Sequence, residues 1–374
     1  MADLLRVSVA ELADGAADGP LLDMSKGVCE PIVGVELDGG ADAVTLDRAV
    51  TRARACDRLL IGIAGKPLPA QVADLTHALD LTLAGPAGPA GRECVVVPDP
   101  EERLTAVHSA ALRNPQASVV LGALLRTTEA LEVTTALDVE SLAYSTLLGG
   151  PEFRRWLDGR RRRPVPAATA PPVLIDRVDD RLLITLNRPE RRNAYGREVR
   201  DALVEAMRLA VLDDTVTRVV IDGAGPSFCS GGDLDEFGTT PDLTTAHLVR
   251  TRGGAGRLVH ELADRVEVRV HGSCVGAGIE LPAFAGTVIA DPGATFRLPE
   301  IGMGLIPGAG GTVSIPRRVG RWRTLYLAMT GEPVDAATAL SWGLVDEVMP
   351  SGFGCPSGGG GAHDGAMAPS GRPR

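Results

Sequence analysis

Aromatic residues make up only 3% of this 374-residue chain, so its cores must be built from Leu, Val, Ala and Ile. Lysine is nearly absent. Of 38 basic residues, only Lys26 and Lys66 are lysines, a bias that GC-rich coding explains better than a thermostability device does. The six cysteines, Cys29, Cys56, Cys94, Cys229, Cys274 and Cys355, contain no C-x-x-C pair. That argues against a metal site or a disulfide scaffold and fits a reducing cytoplasm. No stretch approaches the roughly 18 apolar residues a membrane span requires. The opening MADLLRVSVAELADG is acidic and lacks the long apolar core of a signal peptide. These absences predict a soluble cytoplasmic protein with no membrane partner.

What is present is ordinary for a globular protein: 44% apolar and 23% charged residues. A net charge of −10 argues against non-specific nucleic-acid binding, yet leaves room for a local basic site that holds phosphates. The length suits two domains. A basic, proline-rich segment, GRRRRPVPAATAPP at 159–172, reads as the joint between them, because its prolines can neither continue a helix nor enter a central strand.

After the joint, strands alternate with helices. VLIDRVDDRLLITLN (173–187) reads as a hairpin turning at VDDR. REVRDALVEAMRLAVLDD (197–214) has apolar residues at helical spacing. Short strands are predicted at 216–223, 266–272, 285–291 and 295–300. This is an α/β pattern. Before the joint, a strand is predicted within 54–65, a helix over 69–84 and a strand over 91–99, with an almost wholly helical stretch from Pro100 to about Leu157. Residues 351–374, rich in Gly, Ser, Pro and Ala, have little to bury and are expected to be disordered.

Two glutamates stand out: Glu280 in HGSCVGAGIEL and Glu300 in FRLPEIGMGLIPGAGG. Both sit among small and apolar residues, where a carboxylate is poorly solvated, its pKa rises, and proton transfer near neutral pH becomes accessible.

The second half resembles the crotonase (enoyl-CoA hydratase/isomerase) superfamily over residues 173–350. The resemblance is carried in order by ITLNRPERRNAYGREVRDAL, VVIDGAGPSFCSGGDLDEF, VRVHGSCVGAGIELPAFA, FRLPEIGMGLIPGAGGTVSIPRRVGR and TGEPVDAATALSWGLVDEVMP. It implies an α/β fold with a crotonase-like ββα spiral catalytic domain, preceded here by a smaller α/β-to-helical domain. It further implies hydration of a 2-enoyl-CoA through an enolate, whose oxygen is held by the backbone amides of Gly232 and Ala277. Glu280 and Glu300 take the positions of the acid/base pair. Arg191 and Arg192 become candidates for CoA phosphates, while Ala194, Ser230 and Leu234 line the adenine and pantetheine path and Asp233 braces the loop. Cys229 and Cys274 read as buried, inert thiols. No cofactor is required beyond coenzyme A in the substrate, and a homo-oligomer (trimer or hexamer) is implied. Δ-isomerisation, a specialised aryl- or polyketide-CoA reaction including cofactor-free dioxygenation, and a non-catalytic CoA-binding or assembly role stay open as alternatives.

The resemblance also exposes a departure. Family members continue for several tens of residues past WGLVDEV, with helices that build the trimer interface and help close the CoA site. Residues 93–157 resemble that missing region, ending in GPEFRRWL. Residues 1–158 therefore read as a degenerate crotonase-like unit that keeps the terminal helices, and these helices are expected to pack against the catalytic half.

Overall fold

The computed structural model describes residues 4–25, 27–161, 163–164 and 170–350. The tail at 351–374 and part of the joint lie outside the described residues.

The first half opens with five parallel strands in the order β1-β2-β3-β4-β5. These are β1 (Leu5–Ser8), β2 (Ile32–Glu36), β3 (Leu59–Ala64), β4 (Leu81–Ala84) and β5 (Cys94–Val96). Helices α1 (Val9–Ala13), α2 (Ala43–Ala55) and α3 (Ala73–Ala78) connect the first four. Parallel strands covered on both faces read as continuous apolar runs, and every residue of β3, LLIGIA, is buried.

Two predictions are corrected here. The expected helix over 69–84 is a short turn and α3, followed by strand β4; LTLA is too short a run for periodicity to decide, and pairing with β3 and β5 makes it a strand. Residues 54–55 close α2 rather than open a strand.

Four helices follow: α4 (Pro100–Arg113), α5 (Pro115–Thr128), α6 (Val133–Leu148) and α7 (Pro151–Asp158). Asp99 caps α4 through the amides of Glu101 and Glu102. Proline at the first position of α4, α5 and α7 supplies a helical φ where no amide partner is needed.

The second half carries a six-stranded sheet. Its strands are β6 (Val173–Val178), β7 (Arg181–Leu186), β8 (Arg218–Gly223), β9 (Val266–Val270), β11 (Thr287–Ala290) and β14 (Glu347–Val348), in the order β14-β11-β9-β8-β7-β6. Only the β6–β7 hairpin in it is antiparallel. A smaller sheet joins β10 (Ser273–Val275), β12 (Thr295–Arg297) and β13 (Val334–Asp335). Helices α8 (Arg197–Leu212), α9 (Leu243–Gly253), α10 (Gly256–Glu261), α11 (Ala277–Glu280), α12 (Gly311–Val319), α13 (Arg321–Thr330) and α14 (Ala336–Trp342) complete it.

The halves share a core. Ile61 and Leu81 of the first sheet, Leu104, Leu121 and Phe153 of its helices, and Ile301, Val313 and Leu325 of the second half form one buried apolar cluster. Hydrogen bonds cross the same boundary: Trp322 Nε1 donates to the Leu79 carbonyl at 2.9 Å and Asn114 Nδ2 to the Ile301 carbonyl at 2.8 Å. Buried Asp80 accepts from the Leu60 amide and faces Arg126 at 3.1 Å and Arg321 at 3.6 Å.

Removing residues 1–158 uncovers this core and orphans Trp322 and Arg321. The remaining fragment is expected to aggregate or lose activity; a monodisperse, fully active fragment in size-exclusion and turnover assays would contradict the shared-core account. In the intact chain, Trp322→Ala should cost about 3–5 kcal/mol in urea unfolding.

Candidate active site

Parallel pairing of β10 with β12 builds the site. The register Ser273↔Thr295, Cys274↔Phe296, Val275↔Arg297 brings the chain out of both strands at the same edge. Glu280 lies five residues beyond β10 and Glu300 three beyond β12, so carboxylates twenty residues apart emerge side by side. Gly276 makes the turn between β10 and α11, with φ +49° and ψ −118°, a conformation closed to a side chain. A Cβ built there would lie 2.5 Å from Glu300 Oε1 and 3.6 Å from Glu280 Oε1. The two carboxylates thus face one space, which glycine keeps clear.

The loop 224–237 runs beside β10. Val275 donates its amide to the Cys229 carbonyl at 3.0 Å, and Tyr195 donates to the Gly231 carbonyl at 2.7 Å. This lateral pairing brings the loop against the turn at Gly276, where a Cβ would lie 3.7 Å from Gly231 Cα, and Gly232 and Ala277, the first residue of α11, line the same cavity. Among the described residues, neither the Gly232 nor the Ala277 amide has a hydrogen-bond partner. Two main-chain donors therefore lie at the same cavity as the two carboxylates. The cavity encloses about 560 Å³, and its walls include Gly232, Ala277, Glu280 and Glu300.

The anchoring of the two glutamates differs. Glu280 Oε2 accepts from the amides of Ala309 at 2.7 Å and Gly311 at 2.9 Å. Glu300 Oε2 is buried with no hydrogen-bond partner among the described residues. One carboxylate is held by two amides, with its other oxygen toward the shared space; the second has one oxygen at that space and one buried without a partner among the described residues.

The remaining sequence-predicted positions are spread more widely. Asp233 lines the cavity but is engaged by Arg191, at 2.6 Å and 3.1 Å, and Arg191 also reaches Asp235 at 3.1 Å. Arg192 is exposed in a left-handed turn, and its carbonyl accepts from the Ser230 amide at 2.9 Å. Arg191, Arg192, Ala194, Ser230 and Leu234 do not line the cavity. Burial raises the Cys229 thiol to about 12 and holds the Cys274 thiol well above its ordinary value, which keeps both protonated and poorly nucleophilic.

The terminal helices of the first half, expected to pack against the catalytic half, supply a wall of the cavity, but no residue of that wall was singled out from the sequence. Glu140, Tyr144 and Leu148 of α6 line the cavity, with Tyr195, Phe237 and Arg250 of the second half. Tyr144 packs where a Cβ at Gly308 would fall 2.3 Å from its ring. Arg250 lies over that ring, 4.7 Å from its centroid, and donates to Ser141 Oγ at 3.0 Å. The sequence carried little signal for these residues, because Glu140 stands in a mixed stretch, DVESLAYSTLL, with a second acid, two serines and a threonine beside it.

No helix of the described residues is long and apolar enough to cross a membrane. Among the described residues no His, Cys, Asp and Glu cluster could hold a metal ion.

Burial drives the titration of the site. It raises Glu280 well above the usual carboxylate range, with the Glu300 and Glu140 charges adding to it and the Ala309 and Gly311 amides opposing. Glu300 is pushed up to about 8 by burial. A carboxyl with a raised folded-state value contributes stability below its ordinary value near 4.5 and loses it as pH rises toward 8. Glu300→Gln, which removes that titration, should therefore raise the melting temperature at pH 8 while the difference from the parent shrinks toward pH 4.5. A difference that is constant with pH in thermal unfolding would refute this.

The sequence matches relatives of known family. A profile of enoyl-CoA hydratase/isomerase matches residues 181–352. The 2,3-dehydroadipyl-CoA hydratase of Escherichia coli K12 is 36% identical over 179 residues, 48% of this chain and 69% of that protein. The 1,2-epoxyphenylacetyl-CoA isomerase of the same organism is 36% identical over 173 residues, 45% of this chain and 66% of that protein. A solved enoyl-CoA hydratase from Mycobacterium smegmatis is 32% identical, covering 48% of this chain and 71% of that one, with a TM-score of 0.45. On these sequence matches, this chain belongs to the enoyl-CoA hydratase/isomerase family of lyases and isomerases.

Proposed function

We infer that this protein hydrates a 2-enoyl-CoA thioester. The observation that carries the reading is the convergence of Glu280 and Glu300 over Gly276, beside the unpartnered amides of Gly232 and Ala277. A thioester carbonyl placed at those amides gains two donors just as negative charge develops on it, with no side chain to reorganise. Water held between the carboxylates loses a proton to one glutamate as it adds at Cβ, while the other delivers a proton to Cα. The raised basicity of both groups suits them to exchange protons near neutral pH.

Double-bond migration is the second reading. It uses the same carboxylates without adding water: one glutamate takes a proton from the substrate and the other returns one at a different carbon. Mass spectrometry of products from a panel of enoyl-CoA thioesters separates the two by the gain of one water.

Residues 1–158 serve, on this reading, as a degenerate crotonase-like unit whose terminal helices stand in for the layer that usually follows the catalytic domain. Supporting it, α7 packs beside the turn at Glu300 and α6 walls the cavity. The CoA phosphates would then meet the exposed Arg192, because Arg191 is already paired with Asp233 and Asp235. Association into a homo-oligomer belongs to the same reading.

Glu280→Gln and Glu300→Gln should each lower turnover by about 100-fold or more with little change in thioester affinity, since the lost step is proton transfer. Near-parental rates in both variants would remove the assignment. Ala277→Pro deletes one donor and should cost roughly 3 kcal/mol of transition-state stabilisation, whereas Ala277→Gly should be nearly silent. If steady-state kinetics show the glycine variant equally damaged, the position is one of packing.

A further inference from the structure

The third carboxylate of the cavity comes from the half that carries neither Glu280 nor Glu300. Glu140 projects from α6 and is 2% exposed. Its Oε1 accepts from the Gly310 amide at 2.8 Å; its Oε2 accepts from the Thr312 amide at 2.9 Å and from Thr312 Oγ1 at 2.7 Å. Glu280 takes the two alternate amides, those of Ala309 and Gly311. Four successive N–H groups, at the start of α12 where a helix has no partners of its own, are thus divided alternately between two buried acids. Neither acid can shift without disturbing the segment that holds the other.

We propose that Glu140 is a positioning residue for the reaction, clamping 309–312 from the first half and thereby fixing the geometry and electrostatics of Glu280. The proposal rests on the reading of Glu280 as an acid/base group, and it gives the first half a role in the chemistry beyond covering a core.

The charged surroundings of Glu140 are limited. Arg250 of α9 attracts it, while Tyr144 on its own helix and Glu280 and Glu300 across the cavity oppose its charge. His247 of α9 bonds Ser141 instead. Arg126 of α5 turns to Asp80, Glu152 of α7 caps α5, and Arg317 and Arg318 of α12 reach main-chain carbonyls. Burial pushes Glu140 up to about 7, so its charge is present on the alkaline side of neutrality. There it raises Glu280. A neutral side chain at 140 removes that effect, so Glu280 would deprotonate at lower pH.

The test uses the full chain, Glu140→Gln, crotonyl-CoA as substrate, and the pH profile of kcat/KM. The expected result is a loss of about tenfold with thioester affinity within about threefold, and an acid limb displaced to lower pH by about half a unit. A limb that stays in place overturns the proposal even if activity falls, since a merely structural role would lower the whole profile. If the glutamine variant does not fold, Glu140→Asp decides: it keeps the charge but cannot reach both amides. An unmoved limb with kcat reduced about fivefold supports positioning, and unchanged kcat overturns it. If the parent enzyme shows no turnover, the proposed function fails by itself. The pH dependence of crotonyl-CoA affinity then carries the test, an unshifted midpoint in Glu140→Gln counting against Glu140.

Discussion

Four main-chain amides, from Ala309 to Thr312, tie the two halves of this molecule together at its candidate active site. They lead into α12, whose first N–H groups have no partner within the helix and whose dipole favours negative charge. The sequence around them, PGAGGT, offers no capping side chain ahead of the helix. The protein satisfies them with two carboxylates from distant parts of the chain, Glu280 and Glu140. A buried carboxylate is costly unless hydrogen-bonded, and so is a buried amide. Each offsets the other here, and the pairing spans the boundary between the halves.

The rest of the site follows from that clamp. With Oε2 of Glu280 committed, its other oxygen faces Glu300 across the space kept open by Gly276. Three acids then share one poorly solvated cavity; burial raises all of them, and the charge of Glu140 adds to the rise of Glu280 and Glu300. Such a set resists complete ionisation, which is what proton exchange near neutrality requires. Cys229 and Cys274 lie in the same buried region, where burial holds their thiols protonated.

Much of this was legible beforehand. The β6–β7 hairpin, α8 and the helical stretch after Pro100 follow from local pattern, because alternation, amphipathic spacing and proline placement act within a few residues. Glu280 and Glu300 were recognisable from the small, apolar residues around them, and Gly232 and Ala277 from ordered motifs. The failures have a physical cause too. LTLA at 81–84 is a strand only because β3 and β5 flank it, and a four-residue run carries too little period to reveal that. The pairing of Arg191 with Asp233 and Asp235 is likewise long-range, since the loop carrying both acids folds back onto it.

By itself, then, the sequence determined which residues could do chemistry: carboxylates set among glycines, amides in tight turns, helices able to cover a groove. Those properties are local. Only the tertiary structure decided which of them meet. The parallel register of β10 and β12 put Glu280 beside Glu300, and the shared core seated α6 so that Glu140, 170 residues from Gly310, closes the same helix start. Long-range packing chose that partner because the amides of α12 had to be satisfied, and no nearby side chain could do it.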